Sequence, residues 1–328
     1  MNAPRIAVLI PCYNEEVAIP RVVAAFRAAL PAARIYCYDN NSRDRTAEVA
    51  AAAGAEVRRE PQQGKGHVVR RMLADIEADV YVLVDGDDTY EAADAPAMIR
   101  LLLDQRLDMV TGVRVTDAKA AYRPGHRLGN AVLTGVVRLV FGNRITDMLS
   151  GYRVFSRRFA KSFPALATGF ETETEFTVHA LELHLPVGEL RTAYRERPPG
   201  SQSKLNTWRD GLRILRTIAL LVRREKPLAF FAGGAAALAL LSVILAWPVV
   251  ATWLATGLVP RLPTAVLATG LMLLAFLSLA CGLILDTVTR GRLEAKRIAY
   301  LAIPGPDGPA GFPPDPPRGT KNDIGDRV

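Results

Sequence analysis

Val80-Tyr81-Val82-Leu83-Val84-Asp85-Gly86-Asp87-Asp88-Thr89-Tyr90 decides how the rest of the chain is read. A short apolar run rich in Val and Tyr predicts a buried strand of a parallel sheet. Three aspartates follow within four positions of its end. Like charges a few ångströms apart repel, so carboxylates crowded at the mouth of an apolar strand need compensation. A divalent cation supplies it, and hard oxygen ligands on a loop suit Mg²⁺ or Mn²⁺, which in turn suit a pyrophosphate. An Asp-Gly turn with helix-capping aspartates is the plainer alternative.

Upstream, Ile6 to Ile10 predicts a first strand that ends at Pro11-Cys12-Tyr13-Asn14-Glu15-Glu16, and a helix follows from Val17 to Leu30. Arg34 to Tyr38 predicts the next strand, running into Asp39-Asn40-Asn41-Ser42-Arg43-Asp44-Arg45-Thr46. That polar cluster is expected to cap an alanine-rich helix ending at Gly54. Glu56 to Arg59 predicts a short strand, and Gly64-Lys65-Gly66 opens a helix to about Glu77. Downstream of the central strand come a helix over 95–104, a strand over 109–115, a helix over 127–141 and a helix over 170–185 with an acidic start at Glu171, Glu173 and Glu175. Alternating strands and helices with short connections predict an α/β domain with a mostly parallel sheet. Ligands bind such sheets outside the carboxyl ends of the strands. The clusters at Pro11, Asp39 and Asp85 fall at that one edge.

The carboxyl-terminal third changes character. Trp208, Leu212, Leu215, Ala219 and Val222 share a helix face among interspersed arginines, the pattern of an amphipathic interfacial helix over 205–227. Two long apolar stretches, 228–255 and 264–285, exceed the roughly 20 residues that cross a bilayer. Pro260-Arg261-Leu262-Pro263 joins them, so they predict a transmembrane hairpin within 228–287. Basic residues flank it on both outer sides (Arg223, Arg224 and Lys226; Arg290, Arg292, Lys296 and Arg297), while the turn carries Arg261 alone. The positive-inside rule puts both ends in the cytoplasm. The chain thus divides into a catalytic domain over 1–204, the interfacial helix, the hairpin, and a largely disordered tail over 288–328.

The net charge of +8 is accounted for by this membrane-facing distribution and calls for no nucleic acid. Three cysteines without metal-ligand spacing make no disulfide framework, which fits a reducing compartment. Arg5 precedes only a short apolar run and then Pro11, which is not a signal-peptide pattern, so the first domain is expected in the cytoplasm. Lys65 between two glycines is placed to approach phosphate, and Arg114, Arg127, Arg153 and Arg197, on separate segments, are candidates for gripping it with paired donors.

Pro11-Cys12-Tyr13-Asn14-Glu15-Glu16, Asp39 through Thr46, Gly64-Lys65-Gly66 and Asp85-Gly86-Asp87 resemble, in order, the signatures of family 2 glycosyltransferases of the GT-A fold. Asp147 through Arg153 and Arg197 through Leu205 resemble its polyprenyl-phosphate glycosyltransferases, the group that includes dolichol-phosphate mannose synthase. The likeness spans about the first two-thirds of the chain. It implies that Pro11, Tyr13, Glu15 and Asp39 line the nucleotide pocket with Lys65, and that Asp85 and Asp87 hold the metal and diphosphate. It implies that Arg114 and Arg127 bind the acceptor phosphate, supported by Arg153, Arg197, Ser203 and Lys204. Relatives often carry a metal-ligating Gln where this chain has Thr89, which leaves Asp88, Thr89 or water to complete the metal's shell.

The expected reaction is inverting transfer of a sugar from a nucleotide-diphosphate sugar to a polyprenyl phosphate at the cytoplasmic membrane. The expected partners are that donor, that lipid and the bilayer, with self-association left open. Two alternatives remain at this stage: a membrane glycosyltransferase acting on a hydroxyl, with Asp147 or one of Glu171, Glu173 and Glu175 as base, and a non-catalytic membrane-anchored nucleotide-binding protein.

Overall fold

Alternating core residues along the strands feed both faces of one sheet. Leu9, Tyr38, Tyr81 and Leu83 point into one buried cluster, and Val8, Ile10, Cys37, Val80 and Val82 into the other. Each buried Val or Leu contributes roughly 1.5–3 kcal/mol, so a sheet apolar on both sides must be covered by helices on both sides. The computed structural model describes residues 3–115, 135, 146–167, 169, 171–195, 223 and 226–305.

Within them the order is β1 (Ile6–Cys12), α1 (Ile19–Ala29), β2 (Arg34–Asp39), α2 (Thr46–Ala52), β3 (Glu56–Arg59), α3 (Lys65–Asp75), β4 (Val80–Leu83), α4 (Ala95–Asp104) and β5 (Met109–Val115). Then come β6 (Arg153–Ser156), α5 (Arg157–Ser162), α6 (Thr172–Glu182), β7 (Val187–Ala193), α7 (Pro227–Thr256) and α8 (Leu262–Leu301). The seven strands pair in the order β3-β2-β1-β4-β6-β5-β7. All pairings are parallel except those of β6, which runs antiparallel to β4 and β5. The mostly parallel α/β sheet expected from the sequence is therefore the fold.

The chain leaves β1 toward β2 and β3, then returns to the other side of β1 as β4. The carboxyl ends of β1 and β4 thus flank the switch point where such sheets hold ligands. Pro11 and Asp85 lie there.

Several local expectations need correction. The amino end of α2 falls at Arg45 with no side-chain cap, and it is Asp44 whose carboxylate accepts the Thr46 N–H at 3.0 Å. The acidic start of α6 lies where it was expected, with Glu173 and Glu175 in its first turn, but neither carboxylate is spent on the helix end. Glu175 instead accepts the N–H groups of Leu166 and Ala167, both at 2.8 Å, and Glu173 turns to Lys65. Strands β6 and β7 are additions to the sequence reading. The first is four residues long and contains an arginine; the second is an edge strand, half-exposed and without an apolar run.

The two apolar helices pack as an antiparallel pair. Their buried positions recur every seventh residue, Ala235, Ser242 and Val249 against Ala268, Ala275 and Gly282, the spacing of a left-handed seam. Small side chains let the backbones approach, and hydroxyls bond across: Ser242 Oγ donates to the Ala268 carbonyl at 2.7 Å and Ser278 Oγ to that of Phe231 at 3.0 Å. A Cβ on Gly282 would meet the Phe231 Cβ at 2.9 Å, so glycine is required there. Outside the seam the surface is apolar and open, Trp247 and Leu254 each 73% exposed. That is the reverse of a soluble core helix, and the pair is long and apolar enough to form a transmembrane hairpin.

The second helix does not stop at Asp286 but continues to Leu301, so the start of the segment expected as tail is helical. Leu293 and Tyr300 pack on the core of the sheet domain. Apart from residues 135, 223, 226 and 227, the helices expected over 127–141 and 205–227 lie outside the described residues, as does the chain from 306 onward.

Candidate active site

The loops after β1 and β2 are laced to each other. The N–H of Asn14 donates to Ser42 Oγ (2.9 Å), that of Glu15 to Thr46 Oγ1 (2.8 Å) and that of Arg43 to Asn14 Oδ1 (2.8 Å). Asn14 and Asn41 both sit at positive φ, 53° and 63°, a conformation asparagine tolerates better than most residues. Asp39, 8% exposed, accepts the Ser42 N–H at the mouth of β2. Pro11, Tyr13 and Glu15 are half-buried along the same rim. These loops are a rigid wall, and the fold puts four of the five residues expected for the nucleotide on it.

The fifth, Lys65, is delivered from the neighbouring loop. Asn40 suspends that loop, its Oδ1 accepting the Gly64 N–H at 2.7 Å while its Nδ2 donates to the carbonyls of Glu60 (2.9 Å) and Gln62 (2.7 Å). Gly64 has φ +137°, open to glycine and strained for other residues. Lys65 therefore starts α3 aimed at the end of β4. Its Nζ donates to Asp85 Oδ1 at 2.5 Å and to Glu173 Oε1. Burial alone would push its pKa down, but Asp85 and Glu173 outweigh burial and raise it, so the ammonium stays charged.

Asp85 also depends on the turn before β6. A Cβ on Gly151 would lie 2.2 Å from Asp85 Oδ2, so only glycine leaves that carboxylate room. The Gly151 N–H donates to the hydroxyl of the buried Tyr90 at 2.9 Å, and that ring lies tilted against Tyr152 and edge-on to Tyr194. Asp87 is 5% exposed, and Thr89 Oγ1 donates to its Oδ1 at 2.7 Å. Asp88, at φ 60°, turns out to pair with Arg21 at 3.2 Å.

On the other side of Tyr90, Arg114 grips Asp147 with two parallel bonds, Nε to Oδ2 at 2.8 Å and Nη2 to Oδ1 at 2.7 Å. Burial pushes the Asp147 carboxyl up, but the guanidinium more than offsets it and holds the group below its ordinary range. Arg153 is wholly buried, and burial brings its pKa down to about 10. Its donors go to the carbonyls of Ser150 (3.1 Å) and Met148 (2.7 Å) and to Thr177 Oγ1 (3.0 Å). It therefore fixes the turn between Asp147 and Gly151. Arg127, Arg197, Ser203 and Lys204 lie outside the described residues.

Asp85, Lys65 and Glu173 are thus brought together at the switch point, with Arg114 and Asp147 across Tyr90. Sequence reading missed the part played by Glu173 and by Asn40. The first was visible only as an acidic helix start, and its partner lies 108 residues away.

The carboxylates fit a hard divalent cation. No group of three or more metal-ligating side chains forms among the described residues. A Mg²⁺-type site needs only one or two carboxylates when the substrate's phosphate oxygens fill the rest, and Asp85 and Asp87 offer two.

The sequence profile of the glycosyl transferase family 2 matches residues 7–163. An uncharacterised protein of Shigella flexneri is 52% identical over 155 residues, 47% of this chain and 95% of its own. Glycosyltransferase AglJ of Haloferax volcanii is 34% identical over 232 residues, 69% of this chain and 75% of its own. The dolichyl-phosphate hexose transferase of the same organism is 29% identical over 223 residues, 67% of this chain and 95% of its own. Among solved structures, Mycobacterium tuberculosis glucosyl-3-phosphoglycerate synthase with Mn²⁺, UDP-glucose and phosphoglyceric acid superposes with a TM-score of 0.52 at 25% identity, covering 67% of this chain and 79% of that one.

Proposed function

This chain belongs to glycosyltransferase family 2, and from that membership we propose that it transfers a sugar from a nucleotide-diphosphate sugar to a polyprenyl phosphate, inverting the anomeric carbon. The observation that carries the lipid acceptor is α8. The apolar helix suited to a bilayer runs unbroken into the sheet domain, where Lys296 pairs with Glu182 at 2.6 Å and the Tyr300 hydroxyl donates to Asp108 at 2.7 Å. A site so tethered works beside the membrane, where a lipid phosphate presents itself. The name of the archaeal dolichyl-phosphate hexose transferase supports the same acceptor class, and the UDP-glucose and Mn²⁺ of the mycobacterial synthase support a nucleotide-sugar donor with Mg²⁺ or Mn²⁺.

In this reading the catalytic domain covers 1–204, an interfacial helix 205–227 and the hairpin 228–287. The basic flanks put both ends of the hairpin in the cytoplasm of an inner-membrane protein. The laced loops bearing Pro11, Tyr13, Glu15 and Asp39 orient the nucleotide. Asp85 and Asp87 would hold the cation, which supplies charge stabilisation for the departing diphosphate. Arg114, with Arg127, Arg197, Ser203 and Lys204, would hold the acceptor phosphate, while Arg153, wholly buried and bonded to Ser150, Met148 and Thr177, would support them by fixing the turn after Asp147.

A lipid phosphate is already anionic near neutral pH and needs no general base. The protein's task is to hold two anions in line against their repulsion. The pairing of Asp147 supports this over a hydroxyl acceptor, because a carboxylate held below its ordinary range by Arg114 is a poor base.

Membranes carrying the protein, given radiolabelled UDP- or GDP-sugars and undecaprenyl phosphate, are expected to yield an acid-labile sugar-phospholipid. Asp87→Asn should lower its rate by roughly 100-fold or more, the scale of losing one preorganised electrostatic contact in a dry site. A labelled product bearing the sugar on a hydroxyl, or full activity in the variant, overturns the assignment.

A further inference from the structure

Lys65 engages two carboxylates with unequal remaining capacity. Its side chain is 10% exposed, that of Glu173 7%, and that of Asp85 31%. Glu173 spends Oε1 on Lys65, while its Oε2 is buried with no hydrogen-bond partner among the described residues. A buried carboxylate oxygen left unpaired is costly, so the arrangement has an unused acceptor facing a flexible donor. The ammonium has three N–H groups on a rotatable four-carbon stem.

We propose that Lys65 is a resident cation that occupies Asp85 until the metal and nucleotide arrive, and that Glu173 then takes it over, offering Oε2 as the second acceptor. This rests on the metal-dependent donor reading above. A divalent ion on Asp85 and an ammonium 2.5 Å from the same carboxylate repel each other, so each weakens the other's hold on it. Lys65 has somewhere to go, because Glu173 already holds it by one oxygen and the loop that aims it is fixed through Asn40 rather than through Asp85. Glu173 is thus a positioning residue acting through Lys65. It keeps the displaced ammonium beside the diphosphate, where its charge is useful.

The consequence is a coupling between metal and nucleotide. Metal alone must evict Lys65 and binds weakly; a diphosphate adds negative charge that rewards both cations, so each ligand tightens the other. The two substitutions should move metal affinity in opposite directions, which general damage to the fold would not do.

Mn²⁺ binding to the purified full-length chain in detergent, followed by the electron paramagnetic resonance of free Mn²⁺ with and without saturating UDP, reads this directly. Wild type is expected to bind Mn²⁺ about 10-fold more tightly with UDP than without. Lys65→Met should bind Mn²⁺ alone about 10-fold more tightly than wild type and gain less from UDP, whereas Glu173→Gln should bind Mn²⁺ alone about 3-fold more weakly. Lys65→Gln, which fills the gap with a neutral polar group, replaces the Met variant if circular dichroism shows that one unfolded.

Unchanged or weaker Mn²⁺ binding in the Lys65 variants, with UDP and Mn²⁺ still bound, overturns the proposal alone. Failure of wild type to bind Mn²⁺ even with UDP overturns the donor reading and this proposal with it.

Discussion

Two buried ion networks sit in the sheet domain, and they differ in how completely they are paired. Lys65, Asp85 and Glu173 meet at the carboxyl end of β4. Around Asp108, just before β5, the accounts balance: Oδ1 accepts from Ser156 Oγ (2.7 Å) and Arg158 Nε (2.6 Å), and Oδ2 from Arg158 Nη2 (2.9 Å) and Tyr300 Oη (2.7 Å). The Arg158 guanidinium also lies over the Tyr300 ring, 4.8 Å from its centre. At the first network one buried carboxylate oxygen, Glu173 Oε2, has no partner among the described residues. A satisfied network fixes a structure, and an unsatisfied one reserves a place for something that must change partners. The Asp108 network ties the long helix to the sheet; the Lys65 network is where the chemistry is proposed.

The contrast breaks most visibly if the wrong network governs stability. Asp108→Asn leaves the Arg158 guanidinium, 21% exposed, without its counter-charge, and should cost about 3 kcal/mol. Glu173→Gln, with Lys65 still held by Asp85, should cost about 1 kcal/mol or less. Thermal unfolding of both variants in one detergent measures the difference. Equal losses would mean that the site network is structural as well.

Acid sharpens the comparison from the docking side. His179, on α6, is packed edge-on against Phe159 of α5 and Phe163 just past its end, with Ser162 Oγ 3.5 Å from Nε2. The charged groups acting on it are Glu182 on its own helix and Lys296 on α8. Burial, with Lys296 adding to it, pushes its pKa from 6.5 down to about 4. The unfolded chain therefore binds a proton that the native state refuses in that window. The stability is whole above about pH 6.5 and declines as pH falls toward 4, by up to roughly 1.4 kcal/mol per pH unit. Unfolding midpoints from pH 7 to 4 should show this slope, and His179→Gln should flatten it. An unchanged slope in that variant would assign the acid sensitivity to other groups.

What was legible in the sequence follows from the range of the interactions concerned. Helix α4 and strand β5 begin and end where their patterns predict, because period and turn residues are local signals. The placement of Asp85 and Asp87 just beyond β4 was legible because the apolar run before them is a local signal for the strand. Strand β6 was not, since Arg153 reads as surface until Ser150, Met148 and Thr177 are folded around it. The tie from Glu173 to Lys65 was hidden for the same reason. A helix dipole explains an acidic first turn locally, and only the tertiary fold brings Lys65 to it. The extension of α8 past Asp286 was hidden by charge: Arg290, Arg292, Glu294, Lys296 and Arg297 end an apolar run without ending a helix, and Lys296 finds Glu182 only in three dimensions.

The smallest effect tests how the satisfied network divides its work. Tyr300→Phe removes one hydroxyl and keeps the ring over Arg158, so the cation–π contact survives. Asp108 Oδ2 then still accepts from Arg158 Nη2 at 2.9 Å, and no buried charge is left alone. The cost should be about 1 kcal/mol, the worth of one hydrogen bond exchanged with water. Combined with Asp108→Asn in a double-mutant cycle, the two losses should fall short of additive, because the hydroxyl has less to gain from a neutral amide than from a carboxylate. A Tyr300→Phe loss as large as that of Asp108→Asn would make the helix contact, rather than the Arg158 pair, the tie that keeps this corner of the sheet folded, and the catalytic domain could not then be treated as stable apart from α8.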